Sequence, residues 1–164
     1  MNKYFLSAIA TLMIGLAAVP PANAQDDESE LIGSWTMSIE DSDFGPTPPP
    51  DSVLMGIQRA DDQLLMQREL HFSQMGGARL IAFDMPTDGG TYDATTDDGT
   101  QAVTVSWDGD ELVLVSEVEA NIGLIEVIDR YRVDSDGQTL IQERMMDIPS
   151  MGVMESTMVF MRSN

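Results

Sequence analysis

Few residues of this chain could do chemistry, and their types exclude more than they allow. There is one histidine, His71, and no cysteine. A histidine-rich or thiolate metal site therefore cannot be built. A Ser-His-Asp triad could assemble only around His71, and no nucleophile-elbow, phosphate-loop or dinucleotide pattern is present. His71 reads as a solvent-facing or partly packed residue at a strand end. The segment 93–99 brings together Asp93, Asp97, Asp98 and Gly99, but it lacks the spacing and terminal Glu of a calcium loop. It reads as an acidic solvated loop. Met145, Met146, Met151, Met154, Met158 and Met161 crowd the C-terminal end. Thioethers can select Cu(I), yet strand alternation puts Met154, Met158 and Phe160 on one face and Met161 on the other, which scatters the ligands. The methionines read as pliable core or as the lining of a ligand cavity. No metal, no cofactor and no enzymatic activity are expected.

A second group of residues is better placed. Arg68 is in phase with Leu64, Met66 and Leu70. Asp129 is in phase with Ile125, Val127, Tyr131 and Val133. Arg144 is in phase with Leu140 and Met146. Charges on otherwise apolar faces must be paired or watered if they are buried. Two readings stay open. In one, these faces line a watered cavity, and Arg68, Asp129, Tyr131, Arg144, Met66 and Met158 are candidate ligand-binding residues. In the other, one or both phases are misread and the charged residues face solvent.

The elements that would carry these residues begin after an N-terminal leader. Lys3 is followed by an apolar run, Pro20-Pro21 and Ala22-Asn23-Ala24. This is the order of a secretory signal peptide with an A-x-A cleavage site. The apolar run of about 15 residues is short for a bilayer span of roughly 20. The expected organisation is a signal peptide over 1–24, a flexible lead over 25–30 and one domain over 31–164. Export to the periplasm or the extracellular space follows, with no membrane span in the mature form. Cysteine is absent, so packing and hydrogen bonds alone must hold the domain together.

Charge narrows the partners. The chain has 28 acidic residues against 8 basic ones, a net charge of −20. Loss of Lys3 with the leader brings it to about −21. Such a surface repels phosphate backbones and anionic headgroups, so nucleic acid is not an expected partner. The same self-repulsion predicts a salt effect. The denaturation midpoint should rise as NaCl goes from about 0.01 M to 1 M, because the Debye length contracts from roughly 30 Å to 3 Å. A flat or falling midpoint would show that the acidic surface carries no such cost.

Turn signals divide the rest into short strands. Asp108-Gly109 and Asp136-Gly137 lie between alternating apolar runs, the strongest short-range hairpin signal. The residues between turns are rich in Val, Ile, Leu and Thr, which suit a half-buried pleated surface. Strands are expected at 31–38, 53–59, 64–72, 79–83, 102–107, 112–118, 122–133, 139–146 and 153–162. Loops are expected at 41–50, where prolines accumulate, and at 86–99. A helical turn near 116–123 is the only helix allowed for. Eight or nine consecutive strands make an antiparallel meander, which must close into a barrel or fold into a sandwich.

Several short motifs occur in a recognisable order. Gly33-Ser34-Trp35 is followed by Ser42-Asp43-Phe44-Gly45 and Pro46. A hairpin then carries Ile57, Asp62, Leu64, Met66 and Arg68. Later come Trp107-Asp108-Gly109-Asp110-Glu111-Leu112-Val113-Leu114, Asp136-Gly137-Gln138-Thr139-Leu140 and Val159-Phe160-Met161-Arg162. In this the chain resembles a group of small exported bacterial proteins described as lipocalin-like. The resemblance implies an all-β, antiparallel, lipocalin-like barrel without catalytic residues. The chain departs from the group in its acidic, glycine-rich 86–99 segment and its methionine-rich final hairpin. The expected function is binding of a small apolar or amphipathic molecule in the barrel. The alternative is a protein-interaction or envelope-associated module with a filled core.

Overall fold

The computed structural model describes residues 30–61, 63–73, 77–86, 90–96, 99–120 and 122–163. The expected signal peptide over 1–24 and most of the expected flexible lead lie outside the described residues. Glu30 and Leu31 are helical and run directly into the first strand.

Among the described residues ten strands follow: β1 (Gly33–Asp43), β2 (Ser52–Ala60), β3 (Gln63–Phe72), β4 (Gly77–Pro86), β5 (Gly90–Thr96), β6 (Gly99–Asp108), β7 (Glu111–Ala120), β8 (Gly123–Val133), β9 (Thr139–Ile148) and β10 (Gly152–Ser163). Each pairs antiparallel with the next, and β1 also pairs with β10, so the meander closes into a barrel. Closure removes exposed edges, which suits a chain with no disulfides. Among the described residues, no helix is long and apolar enough to cross a membrane.

The tenth strand arises inside the segment expected to be a loop. Gly90–Thr96 pairs with β6 from Gly90↔Val105 to Thr96↔Gly99. Thr91, Thr95 and Thr96 favour the pleated backbone, while the glycines and acids beside them disguise it. The wall is thin on the other side of β5, where β4 meets it at Ile81↔Thr96 and Ala82↔Thr95.

Two other expectations are corrected. β1 runs on to Asp43, past the expected loop start, by way of a register shift between Ser38 and Asp43. There the Ser42 hydroxyl donates to the Ser38 carbonyl and accepts from the Val159 amide. A side chain thus takes over ladder bonds at a bulge. The helical turn near 116–123 is absent among the described residues, since β7 stays extended to Ala120.

One end of the barrel is tightly closed. Trp35 is buried, and its indole Nε1 donates to the Leu31 carbonyl at 2.9 Å. The Arg162 guanidinium lies 4.2 Å from the centre of the Trp35 ring, a cation–π contact. Arg162 also donates to the carbonyls of Glu30, Ile32 and Gly137. The helical turn, β1, β10 and the β8–β9 turn are thereby fastened to one side chain. Leu31, Leu64, Met66, Leu112, Leu140 and Phe160 fill this end and are fully buried.

Candidate functional site

Strand parity and register set the interior. Arg68, Met66 and Leu64 alternate inward on β3, Tyr131 and Asp129 on β8, Gln142 and Arg144 on β9, and Met158 on β10. Leu112↔Tyr131 and Tyr131↔Gln142 are register partners, as are Leu114↔Asp129 and Asp129↔Arg144. The reading that places the charged residues inside is therefore the one the geometry satisfies. Arg68 is 4% exposed and Gln142 0%.

Arg68 spans the lumen. Its strand, β3, lies across the barrel from β8 and β9. Its Nη2 donates to Tyr131 Oη at 2.6 Å and to Gln142 Oε1 at 2.9 Å, and approaches Met55 Sδ at 3.9 Å. Gln142 Nε2 then donates to Asp129 Oδ1 at 2.7 Å. Arg144 closes the network with a bidentate pair to the same carboxylate, Nε to Oδ1 at 2.7 Å and Nη2 to Oδ2 at 2.8 Å. The guanidinium fork matches a carboxylate in this way and fixes both groups. Gln142 is the residue that joins the two halves. Its neutrality hid it in the sequence, although its phase between Leu140 and Arg144 was a usable signal.

The network divides the lumen into two parts. Below it, toward Trp35, side chains are packed dry. Above it, the inward residues Leu70, Ser116, Val127, Ile125, Met146 and Met154 are only half-buried. Arg144 keeps 30% of its side chain exposed and Asp129 13%. Met158 and Met66 are buried in the packed cluster, so they form floor and support more than wall. Water thus reaches the described inward side chains of the upper half, which we call the cup and which has the polar network as its floor.

The electrostatics of the floor follow from its partners. Burial works to raise the Asp129 carboxyl. The charge of Arg144, its hydrogen bonds, the charge of Arg68 and the Gln142 hydrogen bond outweigh that and hold it below the usual carboxylate range. Burial would also weaken the Arg144 cation, but Asp129 keeps it protonated. Burial pushes the Tyr131 phenol up to about 12 despite the charge of Arg68 beside it, so the phenol is neutral over the physiological range. A carboxyl depressed in the folded state adds stability above its unfolded pKa, and that stability is lost as pH falls through the folded value. The stability difference between the natural protein and Asp129→Asn should therefore be full above about pH 4 and shrink on further acidification. Urea denaturation of both proteins from about pH 6 to 2 checks this, and a difference that grows in acid would contradict it.

Other sequence candidates lie elsewhere. His71 is on the outer face with its side chain 43% exposed and 3.0 Å from Glu69. The Ser73 hydroxyl donates to Asp51, not to His71, so no triad forms there. In segment 93–99, residues 93–96 belong to β5 and Gly99 opens β6; Asp97 and Asp98 lie outside the described residues. Among the described residues, no group of three His, Asp or Glu side chains could hold a metal ion. Met151 and Met161 are exposed, while Met146 and Met154, which are register partners, face inward with Met158, so the six methionines are split between the two faces of the wall.

A closed antiparallel barrel with a polar floor and an open cup defines a lipocalin-like β-barrel protein. Solved structures share the fold at low identity. The fluorescent protein UnaG superposes with a TM-score of 0.57 at 15% identity, over 82% of this chain and 98% of that one. A secretary abundant heat soluble protein from Ramazzottius varieornatus gives 0.56 at 12% identity, over 82% and 96%. A fatty acid binding protein of Schistosoma mansoni, in complex with arachidonic acid, gives 0.54 at 14% identity, over 84% and 99%. No family model and no curated protein matches the sequence.

Proposed function

We propose that this is an exported, non-enzymatic protein that holds a small amphipathic molecule, its anionic end on the Arg68 floor and its apolar part against the wall of the cup. One observation carries the reading. Among the described residues, the floor sets two guanidinium groups against one carboxylate, and that carboxylate is already taken by Arg144. Arg68 has only neutral acceptors, and its buried Nε has no partner at all. A buried cation with no carboxylate in direct contact is costly. An anionic headgroup would supply both the missing charge and the missing acceptor. The Schistosoma mansoni protein with arachidonic acid shows that the fold can hold such a molecule, and fold alone does not transfer the function.

Arg68→Met tests the reading. The fold should survive, because the variant removes a buried charge that has no carboxylate of its own. Affinity for a fatty acid or an alkyl sulfate should fall by about 1.5–3 kcal/mol, the range for hydrogen bonds to charged groups. Calorimetric titration with both proteins measures it. No saturable binding to the natural protein, together with a stability loss of about 3–5 kcal/mol in the variant, would make the floor a purely structural network and favour the interaction-module reading.

A further inference from the structure

The rim of the cup has a surface that ligand binding does not explain. Four large apolar side chains stand at the tips of two turns: Ile122 (53% exposed) and Leu124 (53%) at β7–β8, and Met151 (65%) and Val153 (58%) at β9–β10. The two turns touch, since a Cβ placed on Gly123 would lie 3.1 Å from Pro149 Cγ. The four side chains therefore belong to one patch on one side of the mouth. Contiguous exposed apolar surface of this kind marks an interaction site.

Immediately below the patch runs a row of carboxylates. Glu117 is the register partner of Glu126, and Glu126 is that of Asp147. The row continues into the patch itself, because Asp147 is opposite Val153. Glu119 stands opposite Leu124 at the next level up. Like charges directly opposite each other destabilise a sheet. The arginines of the same wall do not relieve them. Arg130 binds Asp108 and Glu111, and Arg132 lies near Glu111 and Glu143, all farther toward the closed end. Among the described residues, Glu117, Glu126 and Asp147 form no ion pair.

We propose that this rim docks a protein partner that presents an apolar knob ringed by Lys or Arg. The charge row selects that occupant. A second copy of this chain would bring the same carboxylates against themselves, and an anionic lipid surface would be repelled. A cationic ring would neutralise three adjacent like charges while the knob covers Ile122, Leu124, Met151 and Val153. Charge complementarity of this kind sets partner choice and encounter rate.

The probe is a synthetic amphipathic helix of leucine and lysine of about 18 residues, with a scrambled peptide of the same composition as reference. Titrated into the full protein in roughly 0.15 M salt, the helix should bind at least about tenfold tighter than the scramble. Leu124→Ser with Val153→Thr should remove that preference. Glu126→Gln with Asp147→Asn should weaken binding several-fold and flatten its salt dependence. Asp61→Asn with Asp110→Asn, an equal charge change at the opposite end, should do neither. Arg68→Met should bind the helix as the natural protein does, so this result and the cup reading stand or fall separately. Equal binding of the scramble, or equal loss in the opposite-end variant, would overturn the proposal. So would phosphatidylcholine vesicles that bind in place of the helix and are lost with the same rim variants. Sedimentation showing a dimer that Leu124→Ser dissolves would overturn it in favour of self-association.

Discussion

Asp129→Asn should cost about 3 kcal/mol of stability and, at the same time, tighten the binding of anions. The two effects have one origin. Asp129 is the carboxylate that Arg144 grips with two hydrogen bonds and that Gln142 also reaches. Removing its charge leaves Arg68 and Arg144 in the lumen with nothing to balance them. Breaking a buried pair costs about 3–5 kcal/mol. The low end applies here because Arg144, with 30% of its side chain exposed, can turn toward the water of the cup. An anionic headgroup would then meet two uncompensated guanidinium groups. Urea denaturation gives the stability, and calorimetry with an alkyl sulfate gives the affinity. A variant that loses both stability and affinity would show that Asp129 shapes the site more than it competes for it.

Trp35→Ala should be the most damaging single change, at about 3–5 kcal/mol, the range for truncating a buried aromatic side chain. The loss extends beyond the cavity. Arg162 stacks on the same ring and holds the carbonyls of Glu30, Ile32 and Gly137, so the closed end loses its common support. Trp35→Phe keeps most of the buried area but gives up the Nε1 bond to Leu31, and should cost about 1–2 kcal/mol, near the price of one hydrogen bond and some misfit. Denaturation with unchanged slope would show both numbers. Equal losses for the two variants would mean that the indole bond, not the packed ring, secures this end.

What was legible in the sequence follows from what is local. Gly109 and Gly137 adopt φ of +69° and +66°, so the Asp-Gly turns were readable from conformational preference alone. Face assignment was readable because strand side chains alternate, and Arg68, Asp129, Tyr131 and Arg144 all lie on the faces their phases implied. What those faces meet was not readable. Arg68 touches Tyr131 and Gln142, which lie 63 and 74 residues away, and only barrel closure and its register bring them together. β5 escapes sequence reasoning because Gly90, Asp93 and the glycines and acids that flank the strand read as loop, although its threonines pair along β6. The course of β1 past Ser38 is not legible because a serine hydroxyl replaces ladder bonds there, which no backbone propensity registers.

The pairing of the first strand with the last has a consequence for the life of the chain. Ser34 lies opposite Ser163 and Trp35 opposite Arg162. The barrel cannot close until β10 is free to pair with β1. Until then Trp35 has no β10 beside it, and the apolar faces of the other strands stay uncovered. Long-range closure of this kind places folding among the slower, millisecond-to-second processes. A chain whose β10 has not docked stays open, sticky and available to proteases.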